Sequence, residues 1–138
     1  MNQTENKKKE LEKIINLLNG KKYDVVVSKA KILIKKFPND YIFYNALGMA
    51  LMNLGQFNES LKIFDRAIKL DEKNIHVLNN LGLAHSSIAN YQIADEYYNR
   101  ALKIKPDFLN ALINLANLKE KLNLNTDAIE VLKIALKH

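Results

Sequence analysis

The sequence predicts an all-α protein made of stacked antiparallel helix hairpins, and two observations carry that expectation. The first is self-similarity. The stretch Ile75 to Phe108, IHVLNNLGLAHSSIANYQIADEYYNRALKIKPDF, returns one spacing earlier as YIFYNALGMALMNLGQFNESLKIFDRAIKLDEKN, from Tyr41 to Asn74, and one spacing later from Leu109 to His138. A period of about 34 residues marks an array of helical hairpins, because one such hairpin cannot bury its apolar face alone. The second observation is what recurs. Counted from Tyr41, Ile75 and Leu109, the fourth position holds Tyr44, Leu78 and Leu112, and the seventh holds Leu47, Leu81 and Leu115. The eighth is small (Gly48, Gly82, Ala116), as is the twentieth (Ser60, Ala94, Ala128). A bulky residue follows at Phe64, Tyr98 and Leu132, then alanine at Ala67, Ala101 and Ala135. Small residues let two antiparallel helices approach closely, and the large ones fill the space on either side.

Those residues resemble the tetratricopeptide repeat (TPR) family, over nearly the whole chain. The resemblance implies a right-handed α-solenoid of about four units and about eight helices. It makes residues 7–138 a single domain with units 7–40, 41–74, 75–108 and 109–138. It names no ligand, because the family is defined by packing residues.

Taken in order, Met1 to Asn6 are polar and terminal and read as a disordered tail. A degenerate unit follows. Its first helix, about Lys7 to Asn19, is polar up to Leu11 and carries Ile14, Ile15, Leu17 and Leu18 out of strict register, as an end repeat with nothing over its outer face would. Its second half keeps register, with Tyr23, Val26, Ala30 and Leu33 one period before Phe57, Ser60, Phe64 and Ala67. Further helices are expected at roughly 24–36, 40–54, 57–70, 74–88, 91–104, 108–122 and 126–137. Asn39-Asp40, Asn74, Asn90, Asp107 and Asn125-Thr126 stand where N-caps belong, since their side chains accept the free amide protons of a first turn. Gly55 suits a tight reversal, and Pro106 stops a helix.

Composition narrows the function. There is no cysteine, so disulfides and thiolate metal sites are excluded. The charged N-terminus has no apolar stretch behind it and is no secretory signal. The most apolar run, Tyr41 to Met52, is too short to span a bilayer. A cytoplasmic protein with no membrane partner is expected. The formal charge of +6 rests almost wholly on lysine, with arginine only at Arg66 and Arg100. Phosphate recognition usually enlists the planar fork of arginine, so a solvated lysine surface is expected and no specific nucleic acid.

On the first helix of each unit, positions two, five, six and nine lie opposite the packing positions. They are Ile42, Asn45, Ala46 and Met49, then His76, Asn79, Asn80 and Leu83, then Asn110, Ile113, Asn114 and Asn117. A merely solvated face would carry lysine and glutamate. This one carries no formal charge, in a chain where 26% of residues are charged, so it reads as a surface kept for contact. The TPR resemblance implies that these residues line a concave groove for an extended peptide or a helix. The asparagines are similar to the amide ladder of O-linked N-acetylglucosamine transferases, with Asn80 and Asn114 in the sixth position and Ala46 breaking the row. A carboxamide has both a donor and an acceptor and can pair with the amide bond of any sequence. Asparagine is also common elsewhere in this chain, which leaves plain abundance as the other reading. The family's carboxylate clamp would need cations where His76 and Asn80, or Asn110 and Asn114, stand, so chaperone-tail binding of that kind is not expected. Met49, Met52 and Ile42 make the earlier part of the face apolar, either to seat one large side chain or to pack against a neighbouring helix.

No catalytic constellation appears. His85 stands where Leu51 stands one unit earlier, as a packed ring; His138 is terminal; only His76 faces the groove. No HxxxH, no His–carboxylate cluster and no Gly-rich phosphate loop is present, so an enzyme, a metal and a cofactor are not expected. The last helix keeps the inner-repeat pattern, with Ile129, Leu132, Ala135 and Leu136 where Leu61, Phe64, Ala67 and Ile68 stand. That leaves an apolar edge, from excision out of a longer protein or for pairing with a second copy. The leading expectation is a non-catalytic module holding an extended segment of a protein partner. The alternatives are the accessory repeat region of a glycosyltransferase or sulfotransferase and a self-associating scaffold.

Overall fold

A computed structural model of the chain describes residues 2–138, and every described helix is α. There are eight among the described residues: α1 (Gln3–Asn19), α2 (Tyr23–Lys36), α3 (Tyr41–Asn53), α4 (Phe57–Leu70), α5 (Ile75–Ser87), α6 (Tyr91–Ile104), α7 (Leu109–Lys121) and α8 (Asn125–Lys137). The fold is the expected all-α arrangement of paired helices. They form two compact units, Met1–Asp71 with α1 to α4 and Glu72–His138 with α5 to α8.

The expected disordered tail is corrected for residues 2–6. Asn2 caps α1 by accepting from the Glu5 amide at 2.8 Å, and the helix runs from Gln3. A side-chain acceptor for a first-turn amide, together with Glu5 in that turn, makes a polar terminus helical without any apolar contact. Met1 lies outside the described residues.

Two kinds of turn alternate. Into the first helix of a hairpin the chain arrives extended with a side-chain cap: Asp40 accepts from Ile42 N at 3.2 Å, and Asn74 from His76 N and Val77 N at 3.1 and 3.0 Å. Within each hairpin, one residue with positive φ closes the first helix: Lys21 (56°), Gly55 (79°), Ala89 (64°) and Asn123 (59°). The next amide then reaches back five residues: Lys22 to Leu17 O, Gln56 to Leu51 O and Asn90 to His85 O at 2.9 Å each, and Leu124 to Lys119 O at 2.8 Å. This Schellman closure satisfies helix-end carbonyls and turns the chain directly into the second helix. It also corrects two expected caps, at Asn90 and at Asn125-Thr126, while a third, Asp107, fails at an extended entry that has no side-chain cap. Asn90 makes no cap bond and faces the His85 ring at 3.4 Å; α7 is entered from Phe108 rather than Asp107; α8 is entered from Leu124, with Asn125 and Thr126 already helical.

Packing follows the small-large rule and supplies its geometry. A Cβ on Gly82 would stand 2.5 Å from the Tyr98 ring, and one on Gly48 would collide likewise with Phe64. Each aromatic ring is fully buried against the bare backbone of the facing helix, and burial pushes the Tyr98 hydroxyl pKa up. In the first hairpin the sizes are exchanged. Ile14 occupies the glycine position and Ala30 the aromatic one, and both are 0% exposed in one core cluster. So α1 is in register after all, with the bulk carried on the other helix. Glu10 takes the place of a fourth-position apolar residue. It pairs with Lys29 on α2 at 2.9 Å and with Lys13 at 3.6 Å, and the hydrogen bond from Lys29 holds its carboxyl below the ordinary glutamate range.

Candidate functional site

In the first unit, α1 and α3 lie side by side and present the face that packing leaves over. The expected residues of α3 are there: Ile42, Asn45 and Met49 are half-buried, and Ala46 is buried beneath them. The Asn45 amide points along the helix at the Met49 sulfur, 3.8 Å away. Opposite them α1 contributes Leu11, Ile14, Ile15 and Leu18. Together they enclose an open groove of about 320 Å³ whose polar members are Asn19 and Asn45. The α1 side was missed from sequence, yet its signal is simple. Leu11, Ile15 and Leu18 fall one period before Asn45, Met49 and Met52, so they belong to the same face of the helix.

In the second unit the neighbouring first helices are α5 and α7. His76 and Asn110 are exposed, while Asn80, Leu83 and Asn114 are half-buried. The His76 ring packs edge-on to Phe108, with centroids 5.2 Å apart. Asn114 Nδ2 donates to Asn79 Oδ1 at 3.0 Å, across from α7 to α5. Asn79 itself is only 7% exposed, so its expected place on the open face is corrected. The fifth position lies toward the neighbouring helix, and α7 covers it. The fold therefore uses Asn79 to fix the Asn114 carboxamide, whose oxygen is left to accept a further bond. Asn117 is exposed but shares a cavity of about 250 Å³ with Ile129 and Leu132 of α8.

The apolar edge expected on α8 is exposed: Ile129 is 54%, Leu132 43% and Leu136 87% accessible, with Ala135 half-buried. His85 is half-buried and stacked on Tyr97 at 5.6 Å. The conspicuous ion pairs tie helices together. Lys119 of α7 meets Asp95 of α6 at 2.6 Å, and Lys7 of α1 meets Asp40 at 2.9 Å. Among the described residues no three His, Asp or Glu side chains converge as a metal site would require. No helix among them is long and apolar enough to cross a membrane.

Comparison with known proteins follows the same lines. Photosystem I assembly protein Ycf3 of Rippkaea orientalis is 30% identical over 96 residues, which span 63% of this chain and 55% of that one. The chain spans about half the length, or less, of the curated relatives it matches. Among solved structures, a thermophilic TPR protein of Thermus thermophilus superposes with a TM-score of 0.85 at 17% identity, over 90% of this chain and 69% of that one. The first TPR of Spaghetti (RPAP3), bound to the HSP90 peptide SRMEEVD, gives 0.76 at 18% identity, over 83% and 90%. Residues 41–107 match the family described as tetratricopeptide repeat, the span in which the small-large pairs Gly48–Phe64 and Gly82–Tyr98 sit, and the chain is a tetratricopeptide repeat protein.

Proposed function

We propose that the chain is a non-catalytic interaction module that holds an extended segment of a protein partner on the inner faces of its first helices. TPR proteins act in protein–protein interaction, and one structural relative is seen with a peptide bound. The observation that carries the reading is the half-buried, uncharged row Asn80, Leu83 and Asn114 of the second unit, with the Asn114 amide already fixed by Asn79. A pre-set carboxamide loses little freedom on binding, so its bond to a peptide main chain contributes to affinity rather than to ordering the receptor. The partner segment carries the ordering cost, and affinity in the micromolar range is expected.

The test is an array of short synthetic peptides, with hits re-measured in solution against the double variant Asn80→Ala, Asn110→Ala. Binding is expected to weaken by about tenfold, equivalent to one or two lost hydrogen bonds, while thermal unfolding stays cooperative. Parent-like affinity in that variant would remove Asn80 and Asn110 from the peptide contact, and a row reduced to Asn114 alone would no longer carry the reading.

The exposure of Ile129, Leu132 and Leu136 favours a second reading, in which a copy of the chain covers α8. Light scattering over a range of concentrations is then expected to show a dimer that Leu132→Lys abolishes. A monomer at every concentration excludes it.

A further inference from the structure

The net charge of this chain is confined to one hairpin. Residues 3–36, from the start of α1 to the end of α2, hold ten lysines against four carboxylates; the remaining residues are balanced at eleven basic to eleven acidic. The whole +6 therefore belongs to the hairpin whose first helix forms one wall of the apolar groove. Three of those four carboxylates have a local role: Glu10 is held by Lys29 and Lys13, Glu5 lies in the first turn of α1 and Asp24 in that of α2. Lys8 and Lys9 are exposed, and Lys8 lies one turn before Leu11 on the same side of the helix. Glu12 is the one carboxylate on that stretch beside the groove.

The groove in the wall of this basic hairpin is itself greasy. Leu11, Ile15 and Leu18 face Ile42 and Met49 around about 320 Å³, and Ile15 is 46% exposed. That volume lies at the lower end of ligand sites, about 300–1,000 Å³. It accommodates one bulky side chain, and the flexible methionine adapts to its shape. Polynucleotides offer nothing aliphatic larger than the thymine methyl to fill such a groove, whereas a protein segment can satisfy both features at once.

We propose that the α1–α3 groove seats one bulky apolar side chain of an acidic segment of a partner protein, which the charge of the α1–α2 hairpin attracts. The proposal rests on the interaction-module reading and adds to it the chemistry of the partner. The two features divide the work. Charge raises the rate of encounter and fades as salt screens it; the buried anchor slows departure and is insensitive to salt.

Four labelled synthetic peptides test this by fluorescence anisotropy on the full chain, at about 50 mM and about 300 mM salt. One has a central Leu-Phe flanked by glutamates, two carry glutamine or lysine flanks, and the fourth keeps the glutamates around Ala-Ala. The glutamate peptide is expected to bind at least about tenfold tighter than the lysine peptide at low salt, the gap narrowing at high salt. The Ala-Ala peptide is expected to lose about tenfold at both salts. Ile15→Ser is expected to lose the Leu-Phe peptide to the same extent. Met49→Gln asks the same of the opposite wall, should Ile15→Ser lower the melting temperature.

Equal binding of the glutamate and lysine peptides, equal binding of the Leu-Phe and Ala-Ala peptides, or parent-like affinity in both groove variants would each overturn the proposal. So would displacement of the glutamate peptide by a poly-dT oligonucleotide at physiological salt, which would assign the lysines to nucleic acid. Failure of all four peptides to bind overturns it as well. Array peptides that depend on Asn80 and Asn110 but not on charge or anchor would leave the interaction-module reading standing without it.

Discussion

Truncating Ile14 to alanine is expected to destabilise the chain by about 3 kcal/mol, within the range of about 2–5 for buried Ile→Ala changes. The side chain is 0% exposed and belongs to the cluster that also contains Val26, Ala30, Leu33, Phe43 and Leu47. In the second and third hairpins the bulk that fills this position comes from the other helix, as Phe64 over Gly48 and Tyr98 over Gly82. The fourth pairs Ala116 with Leu132 at the same two positions. The first hairpin reverses the assignment, so nothing large on α2 can close the gap that Ile14 leaves. Adding Ala30→Leu to Ile14→Ala recreates the pairing of the fourth hairpin. The double variant is expected to recover at least about 1 kcal/mol relative to the sum of the two single changes, as residues sharing one space do. Urea midpoints of the four proteins measure this directly. Strictly additive effects would mean that the two side chains do not fill a common volume.

That exchange also explains which parts of the structure could be read from residue order. The period, the helix pairs and the packing positions follow from spacing, because each small residue must face a large one and the pattern repeats three times. The first hairpin was harder to read. Its register is intact, but the inverted sizes at Ile14 and Ala30, and Glu10 at an apolar position, disguise it. The α1 wall of the groove was lost with it, since Leu11, Ile15 and Leu18 become informative only once that register is accepted. Caps were read well where the chain enters extended, at Asp40 and Asn74. They were misread within hairpins, where a residue with positive φ and a backbone bond replace the side-chain cap, and at Asp107, where the extended entry into α7 falls one residue later on Phe108. Position on a helical wheel could not separate Asn79 from Asn80. The two lie 100° apart on the same half of the helix, and only the placement of α7 decides which one is covered.

The covered one sets the last expectation. Asn114→Ala removes the donor to Asn79 Oδ1 and leaves a buried carboxamide oxygen without that partner, Asn79 being 7% exposed. Such a loss costs about 1–3 kcal/mol, more than the net worth of the bond itself, because desolvation of the orphaned acceptor is no longer offset. Asn114→Ala is therefore expected to lower the unfolding midpoint as well as weaken peptide binding, so a fall in binding in that variant has two possible causes. Replacing both groups separates them. Asn79→Leu with Asn114→Ala leaves no buried polar atom at the α5–α7 contact and is expected to regain most of the stability lost by Asn114→Ala alone. On the proposed reading, peptide affinity is expected to stay low in the double variant, because the Asn114 carboxamide is still missing. Recovery of affinity together with stability would show instead that Asn114 acts only through the fold, and that the amide row of the second unit ends at Asn80.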